Sequence, residues 1–119
     1  MLIEISFYPQ NLYYRRLFIL IRTLNMATAS ARHILVASEQ ACLDLQNDIK
    51  AGTISFEDAA KQHSTCPSGQ QGGALGSFGP GMMVKEFDQV VFNEAVGEVH
   101  GPVKTQFGFH LVEITERSN

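Results

Sequence analysis

Two runs of alternating residues, one in the second quarter of the chain and one near its end, have the pattern of β-strands. The first, residues 32–36, reads RHILV, and the last, residues 109–115, reads FHLVEIT. Side chains along a strand point to opposite faces in turn, so His33 and His110 each lie on one defined face. If these two strands pair, the histidines can lie side by side. A further short strand is expected at residues 75–78.

Between these strands, the spacing of apolar residues predicts three helices. Ser38 and Ser55 are good N-cap residues, and they predict helices over residues 39–51 and from residue 56 to about residue 63 or 64. A third short helix follows from apolar residues at i, i+4, i+7 and i+8, namely Met83, Phe87, Val90 and Val91. Strands and helices in this order indicate an α+β domain.

The stretch from residue 66 to residue 92 combines glycines with apolar side chains. Six of the ten glycines lie between Gly69 and Gly81, and glycine allows both positive φ and close approach of other groups. Pro67 is expected to prevent the preceding helix from continuing into this loop. Three large apolar residues follow the loop: Met83, Phe87 and Phe92. The pattern predicts a small apolar pocket beside a fixed loop.

Length, composition and charge describe one domain of ordinary composition. The chain has 119 residues, 45% of them hydrophobic, and a net charge of −3. Residues 26–119 carry eleven acidic and six basic residues, a net charge of −5, which argues against binding to nucleic acid. Of the two cysteines, Cys42 is expected in the core and Cys66 at the loop. No disulfide framework is required, so a reducing compartment, the cytoplasm, is expected.

Residues 1–25 differ in character from the rest and carry a net charge of +2. Their apolar run LFILI is interrupted by Arg22 and is shorter than the roughly 7 to 15 apolar residues of an export signal. It is also far too short to span a membrane. We expect an N-terminal extension that is poorly ordered or arises from a non-native upstream start, and a domain over residues 26–119. A degenerate export signal or membrane-surface segment is the alternative.

Six motifs in a fixed order give the chain a family resemblance. They are HILV, a cysteine before the glycine loop, LGSFGPGMM, two phenylalanines five residues apart, VGEVHGPV and FGFH. Residues 31–117 thereby resemble the parvulin family of peptidyl-prolyl cis/trans isomerases. The resemblance implies a four-stranded antiparallel sheet surrounded by three to four short helices. It also implies a noncovalent isomerase of Xaa-Pro bonds that assists protein folding without a cofactor or metal.

The resemblance assigns roles to eight residues. The catalytic set that it implies is His33, Cys66, Thr105 and His110, and the substrate-binding set is Met83, Phe87, Phe92 and Phe107. We expect a monomer that binds unfolded or flexible proline-containing polypeptides, without stable membrane insertion. Phosphoserine-directed parvulins carry a basic loop between the first strand and the first helix. Here the sequence ASEQ follows the strand without a basic residue, which favours unphosphorylated substrates.

Three other interpretations of the same residues stay open. The apolar pocket could hold proline-containing or unfolded segments as a chaperone does, with little catalysis. Cys66 could be a nucleophile paired with a histidine, although no acid partner or oxyanion-hole signature accompanies it. A metal could be bound by four residues with only partly suitable spacing: His63, Cys66, His100 and His110.

Overall fold

The computed structural model describes residues 27–118, and the predicted extension at residues 1–25 lies outside this range. The elements are β1 (Thr28–Val36), α1 (Glu39–Ala51), α2 (Phe56–His63), a 3-10 helix (Pro67–Gln71), β2 (Ala74–Phe78), α3 (Lys85–Asn93), β3 (Val99–Thr105) and β4 (Gly108–Ser118). The four strands form one antiparallel sheet in the order β2-β1-β4-β3. The α+β fold with a four-stranded sheet is confirmed. Within residues 27–118, no helix has the length and apolar character needed to cross a bilayer.

The first two helices begin where their N-cap residues predict. The Ser38 hydroxyl accepts the backbone N–H of Ala41 (3.1 Å), and Ser55 accepts that of Asp58 (3.1 Å). Such caps satisfy N–H groups that have no partner inside the helix. At the end of α1, Gly52 adopts a φ of 80° and closes the helix.

Helices cover both faces of the sheet and give it two cores. The core under α1 and α2 contains Ile34, Val36, Cys42, Leu45, Phe56, Ala59, Ala60 and Leu111. The core under α3 contains Ala29, Ala31, Phe78, Phe87, Val91 and Val112. Cys42 is fully buried, as its helical position predicts. The alternation of β1 and β4 thus separates the two cores, and the histidines face the side of α3.

The structure adds to one local prediction between residues 66 and 84 and contradicts another. As predicted, α2 ends before Pro67, but Pro67 itself opens the separate 3-10 helix, because its fixed φ and missing N–H suit a first helical position. Met83 is not part of α3, which begins at Lys85 with Val84 as its N-cap. Its spacing from Phe87 suggested a helical position. A residue in the loop before a helix can pack against the same neighbours as a residue inside the helix.

Candidate active site

A cavity of about 400 Å³ opens between the sheet, the 3-10 helix and α3. Its walls are mostly apolar, with two histidines and one cysteine on one side. The lining residues are His33, Leu35, Thr65, Cys66, Pro67, Leu75, Met83, Val84, Phe87, Phe107 and His110. A cavity of this size holds a small side chain together with part of a peptide backbone.

Pairing of β1 with β4 brings the two histidines into contact. His33 lies opposite Val112, and Leu35 lies opposite His110, so the histidines are diagonal neighbours on one face. Their Nδ1 atoms are 3.0 Å apart, and their rings stack with centroids at 5.2 Å. Both side chains are buried. The contact expected from the alternation of the two strands is therefore present.

A chain of hydrogen bonds extends from this pair in both directions. His110 Nε2 lies 2.7 Å from Thr105 Oγ1, which also accepts the backbone N–H of Phe107 (3.2 Å). On the other side, His33 Nε2 lies 3.1 Å from Ser68 Oγ, which donates to Cys66 Sγ (3.3 Å). The network thus joins the end of β3 to the 3-10 helix through both histidines.

The bond from the Ser68 hydroxyl to Cys66 Sγ sets the direction of donation in this network, because it uses the Ser68 hydrogen. Thr105 accepts from a backbone N–H, so its own hydroxyl hydrogen is free to go to His110 Nε2. His110 then donates from Nδ1 to His33 Nδ1, and His33 donates from Nε2 to Ser68. This assigns one tautomer to each ring. Both imidazoles are neutral in this arrangement, because each donates once and accepts once.

Burial keeps both histidines neutral at pH 7. Burial, followed by the charge of the neighbouring His110, lowers the pKa of His33 from 6.5 to about 4. Burial also lowers the pKa of His110. Protonating either ring would place a positive charge in a mostly apolar cavity beside a second imidazole.

We expect the free energy of unfolding to fall as the pH drops from 6.5 to about 4. In this window the unfolded chain binds a proton at residue 33 and the folded chain does not, so acid favours unfolding. Through this difference in proton binding, His33 lowers the free energy of unfolding by about 3 kcal/mol, progressively as the pH falls to about 4. Urea unfolding across this pH range, compared between the unmodified chain and His33→Gln, measures it. Equal pH dependence of the two proteins would contradict the assignment.

The apolar side of the cavity is built around Phe87. This ring is buried and stands edge-on to both imidazoles, with centroids 5.7 Å from His33 and 5.9 Å from His110. Met83 approaches from the loop before α3, and Phe107 lies at the β3–β4 turn with 62% of its surface exposed. The cavity therefore has a rigid aromatic floor and a solvent-facing aromatic edge.

The loop before α3 is held to the helix by a carboxylate. The backbone N–H of Gly81, at a φ of 85°, donates to both Asp88 oxygens at 3.2 and 3.3 Å. Asp88 follows Phe87 in the helix, and Met83 follows Gly81 by two residues. The bond therefore fixes the two apolar walls of the cavity relative to each other.

Six of the eight predicted site residues line the cavity, and two lie behind its wall. Thr105 is buried and reaches the cavity only through His110. Phe92 faces the core, where its ring meets that of Phe78 at 6.1 Å. Sequence reasoning missed Ser68, which connects His33 with Cys66. Its position two residues after Cys66 is the available signal, but only the 3-10 helix turns its hydroxyl towards the histidine.

The nucleophile and metal interpretations find no matching geometry in residues 27–118. The described hydrogen bonds of the Cys66 sulfur include Ser68 but neither histidine. No group of three potential metal ligands comes together in this range. Of the four residues considered, His100 is bonded to the carbonyl of Ala95 (2.7 Å).

Comparison with known proteins gives a consistent set of relatives. The family model described as "Rotamase: PPIC-type PPIASE domain" matches residues 19–116. The foldase protein PrsA of Geobacillus kaustophilus is 42% identical over 88 residues, covering 73% of this chain and 31% of that protein. The crystal structure of PrsA from Bacillus subtilis matches with a TM-score of 0.71 and 41% identity, over 75% of this chain and 35% of that one.

A smaller protein matches over nearly its whole length. The solution structure of NmPin, the parvuline of Nitrosopumilus maritimus, has a TM-score of 0.66 and 36% identity, covering 73% of this chain and 94% of that one. The chain spans about a third of the length of the curated PrsA relatives it matches. The similarity therefore concerns one domain of those relatives and the whole of the smaller one.

Proposed function

Because the chain belongs to the family of PPIC-type peptidyl-prolyl isomerase (rotamase) domains, we propose that it catalyses cis/trans isomerisation of Xaa-Pro bonds in unfolded or flexible polypeptides. The observation that carries the proposal is the cavity itself, with Phe87 and Met83 facing a neutral pair of histidines. An apolar cavity suits a proline ring, and polar side chains that hold no formal charge suit an amide.

The chemistry requires no bond to the protein. An amide resists rotation with a barrier of about 18 to 20 kcal/mol, because rotation breaks the partial double bond. The planar amide is the more polar state, since its resonance separates charge, and water stabilises it. A water-poor apolar cavity therefore favours the twisted amide relative to the planar one, and each tenfold in rate needs about 1.4 kcal/mol of such preference.

The histidine network provides fixed dipoles without a charge. Both rings are neutral and each is held by two hydrogen bonds, so neither has to reorient while the amide rotates. Cys66 accepts the last hydrogen bond of the network and lines the cavity. In this role the cysteine contributes a polarisable surface and no covalent step.

Replacing Cys66 by serine is expected to leave substantial activity, within about tenfold of the unmodified chain. Serine keeps an acceptor for the Ser68 hydroxyl, and one lost or altered neutral hydrogen bond corresponds to about 0.5 to 1.5 kcal/mol. The measurement is kcat/KM on an unphosphorylated peptide, accompanied by mass spectrometry of the reaction mixture. A trapped adduct between substrate and Cys66 would overturn the noncovalent mechanism.

We further propose that the substrates are unphosphorylated. The connection from β1 to α1 consists of Ala37 and Ser38 alone, and the helix opens with Glu39. No cation is offered there to a phosphate on the residue before proline. The name foldase, carried by the PrsA relatives, supports a substrate class of unfolded polypeptides.

The test of this function is the cis-to-trans rate of an Ala-Xaa-Pro-Phe peptide series, with and without phosphate on the residue before proline. We expect acceleration of the unphosphorylated peptides, so that phosphate is not required for catalysis. Binding without acceleration on any peptide would instead favour a chaperone that holds proline-containing or unfolded segments. Under that result, the histidine network would be a structural feature of the core.

Cellular location and assembly stay predictions. Both described cysteines, Cys42 and Cys66, are free thiols, which supports a reducing compartment such as the cytoplasm. Cell fractionation with an antibody against the untagged chain tests the location. Analytical ultracentrifugation tests the expected monomer.

A further inference from the structure

A second cavity, of about 310 Å³, adjoins the first one along residues 65–67. The two cavities share Thr65, Cys66 and Pro67 as lining residues, and the second is completed by Lys61, Ser64, Gly69 and Gln70. Its lining is more polar than that of the first, which is mainly apolar. If the proline of a bound polypeptide lies in the first cavity, a residue close to that proline lies at the second cavity.

The spacing of the two cavities fits adjacent positions of one extended peptide. Consecutive Cα atoms lie about 3.8 Å apart, so the shared three-residue segment spans at most about 8 Å. An extended substrate advances about 3.3 Å per residue. The side chain that reaches the second cavity therefore belongs to a residue within two positions of the proline.

Lys61 is the one formally charged side chain among the residues that line either cavity. The histidines are neutral, and the remaining lining residues carry no charge. This positive charge lies in a domain whose residues 26–119 have a net charge of −5. Its ion pair with Glu57, at 3.4 Å, is about half exposed on both sides. Such a pair contributes little to stability, and two of the three ammonium hydrogens remain for another acceptor.

The hydroxyl groups of the second cavity already have backbone partners. Ser64 Oγ accepts the N–H groups of Leu35 (3.1 Å) and Cys66 (3.3 Å), and Thr65 Oγ1 donates to the carbonyl of Leu35 (3.3 Å). The Lys61 ammonium and the exposed Gln70 amide are the groups left to bind a ligand. Both can donate hydrogen bonds, which is the chemistry that recognises a carboxylate.

We propose that this second cavity is a subsite for an acidic side chain of the substrate, with Lys61 as the residue that selects it. The inference rests on the proposed isomerase function. It adds a preference for glutamate or aspartate within two residues of the isomerised proline.

The test uses Xaa-Pro peptides in which one of four positions, either of the two residues before the proline or of the two after it, is changed at a time. At that position the peptide carries either glutamate or lysine. For the full chain, kcat/KM at low salt should favour glutamate over lysine about fivefold at one position, the size of an exposed ion pair. The preference should shrink in 1 M NaCl. Lys61→Gln should remove it, and Lys61→Glu should reverse it.

Lys104→Glu is the matched control, because it makes the same charge change at an exposed residue that lines neither cavity. It should leave the preference as in the unmodified chain. The same glutamate-to-lysine ratio in the unmodified chain and in Lys61→Glu at all four positions would refute the subsite. Affinities from NMR titration of the same peptides test the preference separately from catalysis. Acceleration without a preference refutes the subsite alone, and binding without acceleration refutes the isomerase function.

Discussion

Replacing Gly73 by alanine is expected to abolish catalysis and to lower the free energy of unfolding by about 3 kcal/mol or more. Gly73 has a φ of 85°, and its carbonyl accepts the backbone N–H of His33 (3.0 Å). A Cβ at this position would lie 2.2 Å from the His33 carbonyl oxygen. Both groups belong to the backbone, so the clash could be relieved only by moving a strand. We expect β1 to shift at His33, which is part of the catalytic network.

Gly76→Ala is the matched control for this experiment. Gly76 has a similar φ of 74°, but a Cβ there meets nothing within 4 Å. It should cost only the left-handed backbone strain, about 1 to 2 kcal/mol, and leave kcat/KM of the folded protein nearly unchanged. Urea unfolding and peptide kinetics of both variants measure the difference. If the two substitutions had equal effects, close packing of the glycine against His33 would not be what the site requires.

Replacing Phe87 by alanine is expected to lower kcat/KM about 100-fold. The ring forms the floor of the cavity, and losing its contacts with substrate corresponds to about 3 kcal/mol. The same substitution removes a buried ring from the core under α3 and should destabilise the fold by about 3 to 5 kcal/mol. Peptide kinetics at temperatures where the variant is folded separate these two effects.

Phe56 provides the control for Phe87. Both rings are buried to a similar extent, at 4% and 3% exposure, but Phe56 belongs to the core on the other face of the sheet. Phe56→Leu and Phe87→Leu should cost similar stability, and only Phe87→Leu should raise KM. If Phe56→Leu lost activity under conditions where it is fully folded, the activity would depend on the stability of the fold and not on the shape of the cavity.

The fold was predictable where local chemistry decides it. Ser38, Gly52 and Ser55 mark helix ends by bonds to their own neighbours, so their positions in the sequence suffice. The contact between His33 and His110 was also predictable, because alternation fixes the face of each strand. The histidine contact also requires that β1 pairs with β4. Few sheet topologies are possible for four strands, so this pairing was one of a small number of alternatives.

The details of the site depend on packing that one sequence does not display. The bond from His33 to Ser68 exists because Pro67 opens a 3-10 helix, and Pro67 is equally suited to end a helix. Phe92 and Phe87 lie on one helix five residues apart, yet one faces the core and the other lines the cavity. Which aromatic side chain lines the cavity is decided by neighbouring elements: Phe78 of β2 contacts both rings, and Phe87 also stands edge-on to both histidines.

Exchange NMR on one unphosphorylated Xaa-Pro peptide tests the central claim most directly. The full chain, added at about one hundredth of the peptide concentration, should produce exchange peaks between the cis and trans resonances, which uncatalysed isomerisation over tens of seconds is too slow to give. Cys66→Ser should retain these peaks and Phe87→Ala should lose them. Peptide resonances that shift on binding while no exchange peaks develop would contradict the isomerase account and leave a protein that holds proline-containing segments.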